Sequence, residues 1–400
     1  MHHVKKPLTF LLLAHYFKGA RLMDELHRLG CKVVLLAEES VRHKPWPDIL
    51  DERFFMPDLE NVTAVTRAVS YLARSRSFDG LIALDDYSVQ LAATLREHLR
   101  ISGMGETTAR YFRDKLAMRM QAREVGINEP EFVHVLNHHQ IHEFTRRVDP
   151  PWVLKPRSEA GSVKIKKCHS ELEVWQAVSE LGDDHSYYLL EQYVPGQVLH
   201  VDSIVYGGRM LFAQPHRYWR PPFDVWNKGG VFLSQSMSDQ DPVLHEVREM
   251  NERVVLGLGL ERGVTHSEFI HGHDGRLYFL EMAARVCGAH LDIEVEAATG
   301  VDLWREWARL ETAYLRGEPY RVPAQRKDHA GLLLCLSRQQ APDLSVFSAG
   351  EVVWRLSEDF HAGLVLASHS HEDVTRLMQS YQERLSNEVL AVAPPTDKPM

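Results

Sequence analysis

The segment GVTHSEFIHGHDGRLYFLEMAARVCG, residues 263–288, contains two apolar-rich runs separated by Asp274-Gly275. Asp-Gly is a favoured centre for a two-residue type I′ turn, so the segment predicts a β-hairpin. With those residues at the centre of the turn, Glu268 and Glu281 face each other on neighbouring strands, with Cβ atoms about 4.5–5.5 Å apart. The segment therefore predicts a pair of carboxylates on one face of a sheet.

The predicted neighbours of this pair are mostly apolar. Ile270 would face Phe279 on one side, and His266 would face Ala283 on the other. Like charges in such a position destabilise a sheet, so the pair needs a cation or a shared proton. Carboxylate oxygens suit Mg²⁺ that is also held by substrate phosphates. The alternative is an exposed hairpin with both glutamates in water, and a one-residue shift of the turn would change the face.

Two further motifs point to a nucleotide. In PWVLKPRSEAGSVKIKK, residues 151–167, two strand-like runs enclose the loop RSEAGS, in which Gly161 and Ser162 let backbone amides approach anionic oxygens. Lys155 ends the first run and offers a point charge for phosphate. The alternative is an ordinary hairpin loop with a surface lysine, which has the same composition. In YYLLEQYVPGQVLHVDSIV, residues 187–205, a kink between two strands exposes backbone that can bond a flat heterocycle.

The remaining patterns describe the organisation of the chain. Residues 8–100 alternate strand and helix signals, which predicts a parallel sheet covered by helices. Asp85 and Asp86 end one of these strands, either in a substrate pocket or as caps of the next helix. Residues 107–126 predict one long amphipathic helix. Residues 330–393 predict three strands and a helix.

Composition excludes several classes of function. The 400 residues include 46 basic and 55 acidic side chains, and the net charge of −9 disfavours nucleic-acid binding. Four scattered cysteines without CxxC spacing indicate reduced thiols. The apolar run Leu8–Ala14 is too short to span a bilayer, and no cleavage site follows it. We therefore expect a cytoplasmic protein that binds no membrane.

In their order and spacing, these motifs resemble the ATP-grasp superfamily, in particular its carboxylate–amine ligase branch of L-amino-acid (dipeptide) ligases. The resemblance rests on RDKLAMRMQAREVGINEPEF, VLKPRSEAGS, LLEQYVPG and SEF…LEMAARVCG. It implies an α/β and α+β multidomain protein with the ATP-grasp fold. The implied parts are an N-terminal open parallel α/β (pre-ATP-grasp) domain, 1–107, a lid subdomain, 108–190, a central ATP- and metal-binding subdomain, 191–312, and a C-terminal α+β segment packed on it, 313–400.

The same resemblance implies roles for individual residues, with ATP and Mg²⁺, or Mn²⁺ in its place, as cofactors. Arg285, Lys155 and Glu281 would be catalytic, and Arg285 would hold the substrate carboxylate or the intermediate. Glu268 and Glu281 would bind the metal. Nucleotide contacts would come from Lys115, Lys155, Ser158, Gly161, Ser162 and Glu191, the last of these to the adenine amino group, and from the backbone of Gln192, Tyr193 and Val194.

Two positions depart from the family pattern. Ala283 stands where many members carry a metal-binding asparagine, and Val198 stands where many carry a glutamate for the ribose. His200 or Asp202, on the same strand as Val198, could bind the ribose instead. In the irregular segment 216–236, Arg220 and Lys228 are candidate contacts for a substrate anion. The alternative is that this segment is a packed surface loop whose charges are solvated.

The resemblance implies an ATP-dependent ligase that converts a small-molecule carboxylate to an acyl phosphate and then joins it to an amine. Two alternatives remain open at this point. One is an ATP-grasp enzyme with another nucleophile, namely a thiol, phosphoribosylamine or bicarbonate. The other is an ATP-binding module without catalytic activity, although a pure binder has no need of Glu268, Glu281 and Arg285 together. Many relatives are dimers, so a homodimer is also open.

Overall fold

The structure, a computed structural model, describes residues 6–161 and 163–392, so that Ser162 lies outside the described residues. The N-terminal part of the chain forms a parallel four-stranded sheet in the order β3-β2-β1-β4. Alternate side chains of its strands enter two apolar cores, one on each face. This confirms the predicted parallel sheet. Its elements are β1 Thr9–Ala14, α1 Ala20–Arg28, β2 Lys32–Glu38, β3 Glu52–Met56, α2 Val62–Ala73, β4 Gly80–Ala83 and α3 Ser88–Leu99.

Two helices, α4 Glu106–Tyr111 and α5 Lys115–Glu124, replace the single long helix predicted over 107–126. The break occurs at Asp114, whose carboxylate accepts a hydrogen bond from the Leu116 backbone N–H at 3.0 Å and so caps α5. Asp114 also forms an ion pair with Arg157. The cap makes Lys115 the first residue of α5.

A small antiparallel sheet follows, in the order β5-β8-β6-β7. Two helices that the sequence analysis missed bury their apolar sides against it, with Ile141, Trp152, Leu154 and Val174 in the shared core. Its elements are β5 Phe132–His134, α6 His138–Arg147, β6 Trp152–Pro156, β7 Lys166–Cys168, α7 Glu171–Leu181 and β8 Tyr188–Gln192.

The largest sheet has eight antiparallel strands in the order β13-β12-β9-β10-β11-β14-β16-β15. Because β14 pairs with β11, the strands near the C-terminus extend the same sheet as the 263–288 hairpin. The elements are β9 Gly196–Val205, β10 Met210–Tyr218, α8 Pro222–Lys228, β11 Phe232–Ser236, α9 Leu244–Gly257, β12 Gly263–Gly272, β13 Leu277–Ala283, α10 Leu291–Thr299, α11 Leu303–Arg316, β14 His329–Leu336, β15 Val352–Arg355, β16 His361–Ser368 and α12 His371–Arg384.

The hairpin of β12 and β13 pairs Glu268 with Glu281, as predicted. The route to this pair differs from the prediction. The turn is a three-residue loop in which Gly275 has φ +78°, and Ile270 faces Tyr278 instead of Phe279. A β-bulge at Leu280 then restores the register.

Within the described ranges, no helix has both the length and the apolar character that crossing a membrane requires.

We expect Asp114→Ala to lower the free energy of unfolding by about 1–2 kcal/mol, because it removes the cap of α5. Asp114→Asn keeps a capping side chain and removes only the ion pair with Arg157, so it should cost less than half as much. Urea unfolding followed by circular dichroism measures both. Equal losses in the two variants would assign the stability to the ion pair instead of the cap.

Candidate functional site

A cleft lies between the small sheet and the large sheet, and it gathers many of the residues singled out in the sequence. The predicted residues Lys115, Lys155, Gly161, Glu191, Gln192, Tyr193, Val194, Glu268 and Glu281 line this cleft. Lysines and carboxylates from three separate segments therefore meet at one place, which is a combination suited to a phosphorylated ligand and a divalent cation.

The paired glutamates are partly buried and lie beside two lysines. The Lys115 ammonium lies 3.1 Å from a carboxylate oxygen of Glu281. Burial alone would raise the pKa of Glu281, but the positive charges of Lys115 and Lys155 outweigh burial and hold this pKa below its ordinary value. Glu281 therefore stays ionised at neutral pH and can serve as an anionic ligand.

Glu191 lines the cleft and is paired there with two cationic side chains. One of its carboxylate oxygens lies 2.5 Å from the Lys155 ammonium, and the other accepts a hydrogen bond from Arg119 at 2.7 Å. The residue is 2% exposed, and each of its carboxylate oxygens already has a cationic partner. Its role in this structure is to hold Lys155 and the fully buried Arg119, which the sequence analysis missed.

The carboxylate of Glu268, the other member of the pair, is contacted by polar side chains of the large sheet. Tyr218 donates its hydroxyl to Glu268 at 3.0 Å, and the His266 ring lies 3.8 Å away. Burial would lower the pKa of His266, but the carboxylates of Asp202 and Glu268 raise it to about 9. This layer of polar side chains fixes the orientation of Glu268 from inside the sheet.

His200 and Asp202 belong to this buried layer and not to the wall of the cleft. Both are fully buried. The His200 ring is hydrogen-bonded to Asp202 at 3.1 Å and to the Ser234 hydroxyl at 2.8 Å. Both ring nitrogens of His200 are thus engaged inside the sheet, and this residue is not among those that line the cleft. The apolar side chain of Val198 does line the cleft, together with Ile270 and Leu280.

Arg285 extends from the end of β13 toward the N-terminal sheet. Its guanidinium binds Asp86 through two nitrogens, at 2.8 and 2.6 Å. The charges of Arg285 and Arg113 overcome burial and lower the pKa of Asp86 to about 2. Asp85 has a structural position, since it accepts hydrogen bonds from the backbone of His15 and, at the start of α3, of Ser88.

The loop between β6 and β7 contacts the N-terminal domain. Lys115 donates to the Glu159 carbonyl at 2.6 Å, and Tyr87 donates to the Glu159 carboxylate at 3.1 Å. Gly161 lines the cleft, whereas Ser158 is exposed and does not. Glu159 was not singled out in the sequence analysis. No local signal marks it, because its partners are 44 and 72 residues away.

The segment 216–236 meets the cleft through other residues than predicted. Pro221, Pro222, Phe223 and Asp224 form part of the wall. Lys228 is exposed and pairs with Asp224 at 3.0 Å within one turn of α8. Neither Arg220 nor Lys228 lines the cleft, so the structure gives no support to the predicted substrate contacts of these two residues.

The residues of the cleft fit the cofactors that the resemblance implies. Glu268 and Glu281 supply hard oxygen donors at directly opposed positions of β12 and β13. Lys115 and Lys155 supply charge for phosphates, and the apolar side chains of Val198, Ile270 and Leu280 supply a surface for a flat ring. Lys167, which the sequence analysis missed, lies 3.4 Å from the centre of the Tyr193 ring beside the predicted hinge.

The chain is similar to several known proteins. The model of the ATP-grasp N-terminal domain matches residues 23–102. The chain is 25% identical over 263 residues to the L-arginine-specific L-amino acid ligase of Bacillus subtilis, in an alignment that covers 64% of this chain and 62% of that protein. The chain thus spans less than two thirds of this relative.

Solved structures show the fold over nearly the whole chain. The L-amino acid ligase of Bacillus licheniformis superposes with a TM-score of 0.78 at 18% identity, covering 97% of this chain and 99% of that one. A second structure is the biotin carboxylase domain of 2-oxoglutarate carboxylase from Hydrogenobacter thermophilus, solved with MgADP and bicarbonate. It superposes with a TM-score of 0.72 at 16% identity, covering 97% of this chain and 92% of that one. The chain has the ATP-grasp fold.

We expect Tyr218→Phe to raise the Mg²⁺ concentration for half-maximal ATP binding about three- to tenfold, because Glu268 loses one hydrogen bond of about 1 kcal/mol. Tyr206→Phe is the matched control, since that hydroxyl donates to the Glu318 carbonyl away from the cleft. Calorimetric titration of ATP at several Mg²⁺ concentrations measures both variants. An unchanged Mg²⁺ requirement in Tyr218→Phe would show that the hydroxyl does not orient Glu268.

Proposed function

We propose that this chain is an ATP-dependent carboxylate–amine ligase that forms an amide or peptide bond through an acyl phosphate and releases ADP and phosphate. The observation that carries the proposal is the arrangement of cations around the opposed carboxylates. Lys115 and Lys155 lie on one side of Glu281, and Arg285 follows four residues later, at the contact with the N-terminal domain. The L-amino acid ligase activity named for two similar proteins supports the same class.

In the first step, a carboxylate oxygen of one substrate attacks the γ-phosphorus of ATP, and the bond from that phosphorus to ADP breaks. Magnesium held by Glu268 and Glu281 would neutralise charge on the phosphate oxygens. Lys155, fixed by Glu191, and Lys115, fixed at the start of α5, offset further negative charge from the side. The loop that carries Glu159 and Gly161 lies where it can exclude water, which would hydrolyse the acyl phosphate.

In the second step, the amine attacks the acyl carbon, phosphate leaves with the bridging oxygen, and the amine loses a proton. Arg285 offers a planar guanidinium for the carboxylate and for the oxyanion that forms on the acyl carbon. Its two hydrogen bonds to Asp86 fix the plane of the guanidinium. Burial would lower the pKa of Arg285, but Asp86 outweighs burial and raises it, so this charge is permanent.

The direct test measures ADP and phosphate released from Mg–ATP with a panel of amino acids, singly and in pairs, and the mass of any product. We expect release that requires a pair and yields one amide per ADP. Glu281→Gln should reduce the rate at least about a hundredfold, because a charged metal ligand is lost. The exposed Glu252→Gln, on α9, is the matched control and should leave the rate unchanged.

The same assay separates the other functions. Release that requires bicarbonate, a thiol or phosphoribosylamine, without an amide product from any pair, would contradict the carboxylate–amine ligase. Saturable ATP binding without release under any of these conditions would instead indicate an ATP-binding module.

A further inference from the structure

Tyr87 directly follows Asp86 and lies at the start of α3, near the carboxyl end of β4. Asp86 binds the Arg285 guanidinium, and the Tyr87 hydroxyl donates to the Glu159 carboxylate at 3.1 Å. Two adjacent residues of the N-terminal domain therefore contact two different parts of the site. One part is the group assigned to the reacting carboxylate, and the other is the loop between β6 and β7.

The side chain of Tyr87 is held in place by its neighbours. The Arg113 guanidinium lies over the Tyr87 ring, 4.6 Å from its centre. The ring centres of Tyr16 and His15 lie 5.7 and 5.8 Å from the same ring. Cation–π and aromatic contacts at these distances are attractive. The hydroxyl is therefore presented to Glu159 by a ring whose position does not depend on the loop.

Glu159 attaches the loop to the rest of the protein. The Lys115 ammonium donates to the Glu159 carbonyl at 2.6 Å, and the Glu159 carboxylate accepts the hydrogen bond from Tyr87. Among the described residues of 158–165, only Glu159 forms hydrogen bonds with segments outside the loop. Val163, further along the loop, is buried and lines the cleft. The two hydrogen bonds of Glu159 therefore hold the loop over the cleft.

The position of the loop bears on which acceptor takes the acyl group. If water reaches the acyl phosphate, its oxygen bonds to the acyl carbon, phosphate leaves with the bridging oxygen, and the water loses its protons to regenerate the carboxylate. Each such event consumes one ATP without forming an amide. Lys115 holds only the backbone of the loop. The Tyr87 hydroxyl adds a second attachment, through the side chain of Glu159 and from the N-terminal domain.

We propose that Tyr87 is a positioning residue that keeps this loop closed through Glu159, so that the acyl phosphate reacts with the amine and not with water. This inference rests on the proposed ligase function and concerns the control of that same site. It gives the N-terminal domain a part in protecting the intermediate. Tyr87 touches no reacting atom in this account and acts only through the loop.

The first test measures ADP, phosphate and amide together, in a reaction of Mg–ATP with the amino acid pair that reacts best in the panel. The wild-type protein should release about one phosphate per amide. Tyr87→Phe keeps the ring and should release at least about three, because a hydrogen bond to a carboxylate is lost. The rate of ADP formation should stay within about threefold. The exposed Tyr71→Phe is the matched control and should behave as wild type.

Variants of Glu159 show whether Tyr87 acts through this residue. Glu159→Ala should raise the ratio of phosphate to amide as Tyr87→Phe does, and the double variant should raise it no further, because both changes remove the same contact. Glu159→Gln keeps an acceptor oxygen and should recover part of the coupling.

The second test follows the loop without catalysis. Hydrogen–deuterium exchange of the backbone amides of 158–165 is measured with Mg²⁺ and a non-hydrolysable ATP analogue. We expect exchange at least about fivefold faster in Tyr87→Phe than in the wild-type protein, because the loop opens more often. Exchange in Tyr71→Phe should be unchanged.

The outcomes separate the role of Tyr87 from the ligase function. An unchanged ratio of phosphate to amide in Tyr87→Phe would overturn the role of Tyr87 and leave the ligase intact. A raised ratio with wild-type exchange of the loop would overturn it too, since the hydroxyl would then not act through the loop. Slower ADP formation at an unchanged ratio would assign Tyr87 to the first step and overturn the inference. Absence of amide from the wild-type protein with every pair would instead refute the ligase function itself.

Discussion

The opposition of Glu268 and Glu281 is the constraint on which the site depends. Two carboxylates on facing strands repel each other, and a sheet gains nothing from such a pair unless positive charge compensates it. Part of this compensation comes from His266 within the hairpin, and the rest comes from outside it. Lys115 lies at the start of α5, and Lys155 lies at the end of β6, in the small sheet. The hairpin, α5 and β6 must therefore all be folded for the charges of the two carboxylates to be compensated.

Each compensating charge is in turn held by a second partner. Glu191 fixes Lys155, and Asp86 fixes Arg285, while Tyr218 and His266 hold Glu268 from behind. Removal of one member of such a buried pair leaves an uncompensated charge, which costs more than the pair itself contributes. This explains why so many ionisable groups lie in and behind the cleft at fixed positions. A preorganised site of this kind can stabilise developing charge without rearrangement.

The sequence predicted the parallel N-terminal sheet and the glutamate pair because both follow from local patterns. The pairing of Glu268 with Glu281 was predicted correctly, although the turn was not. The loop is one residue longer than expected, and the bulge at Leu280 restores the register. The partners of Glu191, His200 and Arg285 could not be predicted, because they lie far away in the chain or in the buried layer of the sheet. The break at Asp114 was missed because the helical spacing of apolar residues continues across a capping side chain.

The proposed function requires that a carboxylate oxygen of the substrate becomes an oxygen of the released phosphate. The most direct measurement uses the reacting amino acid labelled with ¹⁸O in its carboxylate, followed by mass analysis of the phosphate formed with unlabelled Mg–ATP and the amine. Attack of the carboxylate on the γ-phosphorus requires one ¹⁸O atom in each phosphate released. Phosphate without the label, formed together with amide, would contradict the acyl-phosphate route.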